Sequence, residues 1–166
     1  MPRYFPSFPI TVLLLLGCGD LSSPKNPSFR TDAQKYTLTT TSEGYAGAIS
    51  YVFTNPNPST VTIPTCLGGM YLSLQKGVNG SWVPSYAPGV LKCGGPNIVI
   101  AEGAQHHDTL EIYDCSFRSN CGPKFALSPI PGQYRIVWSE VLDINGALLP
   151  VEQRISNTFT ISTSSP

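Results

Sequence analysis

The sequence predicts an all-β fold, an antiparallel sandwich of seven to nine strands, and three observations lead to that prediction. Between Tyr36 and Ile161, β-branched and aromatic residues recur in short alternating runs. Glycine, proline or asparagine closes each run after a few residues, and no stretch carries the apolar period of an amphipathic helix. Parallel neighbours need long crossovers, usually helical, so strands without helices between them are expected to run antiparallel.

Tyr36, Leu38 and Thr40 alternate and form the first predicted strand. Ile49, Tyr51 and Phe53 form the next, which ends at the turn cluster Asn55-Pro56-Asn57-Pro58; Val61 and Ile63 resume beyond it. Leu72 and Leu74 lead to Asn79-Gly80 and Trp82. Both residues of such a pair reach positive φ readily, which favours a tight hairpin. Ile98 and Ile100 precede Glu102-Gly103, and Leu110 and Ile112 follow it, which reads as a further strand pair. Pro131-Gly132 introduces Tyr134, Ile136 and Trp138, whose shared face belongs in the core. Asp143-Ile144-Asn145-Gly146 marks a turn, and Phe159 and Ile161 form the last strand.

The residues before Tyr36 read differently. Gly19 to Lys35 is polar, with two prolines and three serines, and is expected to be a flexible tether spanning about 20 to 25 Å on average. Residues 1–9 carry Arg3, and an apolar run from Ile10 to Leu16 follows, as in a signal peptide. As a helix that run covers only about 10 Å, too short for a bilayer core. The expected organisation is a signal peptide at 1–17, a tether at 18–35 and one β-domain at 36–166.

Leu15-Leu16-Gly17-Cys18 resembles the lipobox of bacterial lipoproteins. The resemblance implies a diacylglyceryl group on the Cys18 sulfur, cleavage between Gly17 and Cys18, and a cell-envelope protein whose membrane partner is reached through that lipid. Gly19 is not the aspartate associated with inner-membrane retention in enterobacteria, so the outer membrane or cell surface is the expected location. The β-domain is similar to the immunoglobulin-like sandwiches of exported bacterial proteins. The likeness is carried by the Ile49–Thr54 strand running into Asn55, the Gly103 turn, Gly132-Gln133-Tyr134-Arg135, and Ser156-Asn157-Thr158-Phe159-Thr160-Ile161. It implies that Tyr134 is a tyrosine-corner residue whose hydroxyl returns to nearby backbone. No cysteine pair brackets a tryptophan at the antibody spacing, so the resemblance extends to the architecture and not to an antibody-type domain.

Cys66, Cys93, Cys115 and Cys121 are an even set in an exported chain, and two disulfides are expected. Three pairings are open. Cys66 with Cys93 is favoured because both sit at loop ends, which leaves Cys115 with Cys121. Loop entropy then contributes about 3.6 and about 2.4 kcal/mol respectively.

Ten basic side chains balance ten acidic ones, so the footprint of a nucleic-acid binder is missing. G-x-S-x-G, G-x-x-x-x-G-K and G-x-G-x-x-G do not occur. Glu102, Glu111 and Asp114 read as carboxylates that solvate a sheet. Cys115 and Cys121 are spaced too widely for most zinc knuckles. His106 and His107 on a strand would point to opposite faces; only an irregular loop after Gly103 would gather His106, His107 and Asp108 into a surface metal or pH-responsive cluster. Trp82 precedes Val83-Pro84-Ser85-Tyr86-Ala87-Pro88-Gly89, too rich in proline for a ladder, so Trp82 and Tyr86 are candidates for an accessible binding edge. The expected function is a lipid-anchored, non-catalytic module without cofactor that binds another envelope component. The alternative is an envelope metal site or hydrolase built on His106, His107 and Asp108.

Overall fold

A computed structural model describes residues 27–66, 69–70, 72–89 and 96–164. In chain order the strands among them are β1 (Phe29–Thr31), β2 (Lys35–Thr40), β3 (Tyr45–Thr54), β4 (Val61–Ile63), β5 (Thr65–Cys66), β6 (Gly69–Met70), β7 (Leu72–Val78), β8 (Ser81–Tyr86), β9 (Ile98–Ile100), β10 (Gln105–Asp114), β11 (Gly132–Trp138) and β12 (Phe159–Thr163). One 3-10 turn, Val151–Gln153, is the only helical element among the described residues. The protein is nearly all-β, as its alternating runs predict.

β3 organises one half. β10 lies antiparallel along its whole length, from Gln105 opposite Thr54 to Asp114 opposite Tyr45, while β1 and the end of β2 share its other edge. The start of β2 pairs instead with β12, and β11, β7 and β8 follow in order. The β2–β12 pair is parallel, which departs from the antiparallel expectation. The loop that a parallel pair needs is supplied here by the rest of the domain, since the two strands lie near opposite ends of the described chain.

The sheet folds back on itself. Trp138 of β11 stands three strands from β3 in the sheet order, which in a flat sheet is about 14 Å. Yet its ring stacks on Phe29 at 4.5 Å and meets Phe53 at 5.0 Å and Tyr51 at 5.8 Å, so β11 faces β1 and β3 across a core. Leu38, Ile49, Ile112, Ile136 and Ile161 fill that core from both sides.

Two boundaries differ from expectation. The polar stretch before Tyr36 is not all tether, because β1 begins at Phe29, which is fully buried against Tyr51 and Trp138. One aromatic in a polar run is enough to dock a three-residue strand. Glu102-Gly103 does not join a hairpin either: β9 pairs with β4, and β10 pairs with β3. Gly103 adopts φ +66° and turns the chain, but the strands it separates pair with different partners. The Asn79-Gly80 hairpin is present, with φ of 50° and 79°, and joins β7 to β8.

Tyr134 is buried, and its hydroxyl donates to the Ile130 carbonyl at 2.6 Å. Burial pushes its phenol up to about 12. The folded state therefore holds this proton more tightly than the unfolded chain, where the pKa is about 10. The resulting stability is intact below pH 10 and is expected to fall by about 3 kcal/mol between pH 10 and pH 12. Denaturant midpoints measured across that range check this, and Tyr134→Phe is expected to flatten the decline.

Candidate binding site

The strand directions define two poles. At one, β3 begins at Tyr45, β10 ends at Asp114, and the segment from Cys115 to Pro131 folds over their ends. Asp114 organises that segment. Its buried carboxylate accepts from the Ser116 N–H at 3.2 Å and hydroxyl at 2.5 Å, and from the Phe125 N–H at 2.9 Å. The Cys115–Cys121 disulfide closes the first part of the segment, as favoured from sequence, with Cα atoms 5.8 Å apart. The Phe117 N–H donates to the Glu43 carbonyl at 2.9 Å, and Arg118 pairs with the Glu43 carboxylate at 2.7 Å. Gly44 completes the seat, since a Cβ there would lie 2.3 Å from the Asp114 carbonyl oxygen.

This scaffold presents aromatic side chains on both sides of Tyr45. Phe117 meets Tyr45 edge-on at 5.3 Å and remains 54% exposed; Tyr113 is 64% exposed. One cleft of about 470 Å³ is lined by Tyr45, Phe117, Phe125, Leu127, Ile130 and Pro131, with Ser116, Ser128, Pro129 and Thr163, and carries no charged side chain. A second of about 430 Å³ shares Tyr45 and adds Glu43, Tyr113, Asp114 and the disulfide. The first cleft, with aromatic and aliphatic walls, a few hydroxyls and no charge, suits a neutral ligand surface. None of Tyr45, Tyr113 or Phe117 stands out in the sequence, because each is a lone aromatic beside turn residues and only the closure of the loop brings them together.

The residues singled out from sequence fall elsewhere. Gly17, Cys18 and Cys93 lie outside the described residues, and with Cys93 so does the Cys66–Cys93 pairing; the Cys66 backbone belongs to β5. Tyr86 is not at an accessible edge. It is 3% exposed, packs on Phe125 at 4.8 Å, and its hydroxyl accepts from the Tyr113 N–H at 3.0 Å. Burial is the main cause that raises its phenol. Trp82 is half-buried, with the Arg135 guanidinium 4.7 Å above its ring and Arg135 held in turn by two bonds to Gln75 Oε1. β8 runs through Pro84 because it is the last strand of the sheet path, and an edge tolerates a missing donor.

The irregular loop that would gather His106, His107 and Asp108 is not formed. His106, His107 and Asp108 are strand residues of β10, opposite Phe53, Val52 and Tyr51. His107 faces outward, with Nε2 3.2 Å from Gln105 Oε1. His106 faces the other side, 3.9 Å from Asp108, and burial holds its imidazole below the usual value against the pull of that carboxylate. Asp108 also hydrogen-bonds Tyr51, whose phenol is raised chiefly by burial. Strand alternation separates the two histidines, and among the described residues no three His, Cys, Asp or Glu side chains gather as a metal site requires.

No family model matches the sequence, and no curated protein is significantly similar to it. Among solved structures the chain is similar to the Pseudomonas fluorescens alkylpurine DNA glycosylase AlkC bound to DNA containing an abasic site analog. The likeness has a TM-score of 0.36 and 14% identity, over 82% of this chain and 31% of that one. At that level it bears neither on fold nor on chemistry.

Proposed function

We propose that the chain is a lipid-anchored protein of the bacterial envelope whose immunoglobulin-like domain binds another envelope protein, without catalysis, at the Tyr45 pole. The carrying observation is the exposure of Phe117 beside an uncharged cleft, on a loop fixed by a disulfide and a buried carboxylate, with exposed Tyr113 at the end of β10 lining the adjoining cleft that shares Tyr45. Rigid aromatics at the centre of an interface are the residues that most often dominate binding energy. The folded-back sheet and the Tyr134 to Ile130 hydrogen bond support the immunoglobulin-like assignment. Support for the anchor comes from Leu15-Leu16-Gly17-Cys18.

The test is crosslinking of the tagged full-length chain in cells, with mass spectrometry of both the captured protein and the N-terminus. A lipid on Cys18 and a reproducible partner are expected. Tyr113→Ala with Phe117→Ala is expected to lower partner recovery more than about tenfold, since hot-spot aromatics each contribute about 2 kcal/mol or more. Undiminished recovery would move the interface away from this cleft.

A further inference from the structure

We infer that the opposite pole, where the chain enters the domain, rests on a lipid surface and inserts Val99, Ile144, Leu148 and Val151 among its headgroups. The inference rests on the lipid-anchor reading and deepens it by giving the domain a membrane-facing side.

Strand direction places these residues together. β1 enters beside the end of β3, with Phe29 opposite Phe53 and the Thr54 N–H donating to the Ser28 carbonyl at 2.7 Å. β11 ends and β12 begins at this same pole, so the connection 139–158 lies here. The connection is tied to the entry strand where the Thr31 N–H donates to Asn157 Oδ1 at 2.7 Å, and to the neighbouring β3–β4 loop where Asn57 Nδ2 donates to Gln153 Oε1 at 3.2 Å. That connection carries Ile144, Leu148 and Val151, which are 69%, 56% and 49% exposed. Thr62 of β4 faces Val99 of β9 on one side and Leu142 on the other, and Leu142 faces Leu148. Residues paired this way share a face, so Val99, 65% exposed, and Leu148 lie in one row about 15 Å across.

The row is held firmly. Asp143 Oδ1 accepts from the Asn145 and Ala147 N–H groups at 2.8 Å each, which closes the turn that displays Ile144. Arg154 binds the Leu149, Trp138 and Ser139 carbonyls at 2.8 to 3.0 Å and fixes the rest of the connection.

Chain length identifies the occupant. Eleven residues lead from Cys18 to Phe29, a stretch that reaches at most about 40 Å and on average about 17 to 20 Å. With acyl chains on Cys18, the entry pole is held on average within about 20 Å of the headgroups, and the Tyr45 pole stands about 30 Å further along β3. Aliphatic side chains on a fixed turn beside a bilayer add apolar contact to that anchor. Among the described residues at this pole, the carboxylates Glu102, Glu140, Asp143 and Glu152 outnumber Arg30 and Arg154. An anionic surface is therefore disfavoured, and a zwitterionic phospholipid surface, for which phosphatidylcholine serves as the probe, fits.

The test uses the full-length chain purified from membranes, with its N-terminal mass determined, reconstituted into vesicles of phosphatidylcholine brominated on the acyl chains. Ile144→Trp places a reporter on the exposed turn, and Val78→Trp places one beside the β7–β8 hairpin at the far pole. Bromolipid is expected to quench the emission added at position 144 and to leave that at position 78 unchanged. Equal quenching at both positions, or none at either with lipid present on Cys18, overturns the inference and leaves the anchor standing. An unmodified Cys18 on a chain that does not associate with vesicles removes the anchor reading and this inference together.

Discussion

Replacing Trp138 with alanine is expected to destabilise the domain by about 3 to 5 kcal/mol. Trp138 is fully buried and joins the two layers, with Phe29 stacked on one face and Phe53 and Tyr51 meeting it edge-on. Alanine leaves a cavity bounded by three rings that belong to two strands, of which β3, carrying Tyr51 and Phe53, is paired on both edges and collapses little. Small domains hold about 5 to 15 kcal/mol in total, so the denaturant midpoint should fall by a large fraction while the slope stays constant. Trp138→Phe separates packing from polarity. The indole N–H is buried without an acceptor among the described residues, so phenylalanine sheds an unsatisfied donor and loses only part of the stacking. The phenylalanine variant is expected to retain most of the stability that alanine removes; equal losses would mean that the six-membered ring alone cannot bridge Phe29 and Phe53.

The legibility of Trp138 in the sequence explains what else could be read there. Tyr134, Ile136 and Trp138 alternate on a strand with one face in the core, and period-two patterning reports such strands directly. The same holds for β2, β3, β4, β7, β11 and β12. β1 escapes because burial of Phe29 depends on the distant Trp138 and Tyr51, and its own neighbours are polar. β9 and β10 are each visible as strands, but their partners are not, since pairing with β4 and β3 is a long-range choice that local turn chemistry does not encode. Pro84 misleads about β8 because proline excludes a central strand and says little about an edge. The binding cleft is the least legible part. Its aromatics are scattered from Tyr45 to Phe125, and they are brought together by the Cys115–Cys121 disulfide, the Glu43 contacts and Asp114, a carboxylate that reads in the sequence as one of several solvating acids.

Asn55→Ala is expected to cost about 2 to 4 kcal/mol although it removes little apolar area, because it leaves several buried polar groups without partners. Asn55 stands at the corner where the β3–β10 ladder gives way to β4–β9, and only 1% of it is exposed. Its Nδ2 donates to the Ser59, Ile100 and Ala101 carbonyls at 2.8 to 3.1 Å, and its Oδ1 accepts from the Asn57 N–H at 3.0 Å. The backbone closes the same corner, with Asn55 N–H donating to Ala104 and Gly103 N–H donating to Asn55. Asn55→Asp keeps the shape and reverses the chemistry, setting a carboxylate against three carbonyl oxygens. Its folded pKa must then rise above the unfolded value of about 3.9, so the variant is most stable, relative to the parent chain, at acid pH and loses that stability as pH rises. Near neutral pH the aspartate should therefore be at least as damaging as alanine, and near pH 3 less so. Denaturant titrations of parent and both variants at the two pH values distinguish donation by Nδ2 from mere filling of space, for which the aspartate would behave as the parent does at either pH. The corner also holds β9, and with it Val99, against the core. Loosening it is expected to weaken the membrane-facing row while leaving the Tyr45 pole, about 30 Å away along β3, intact.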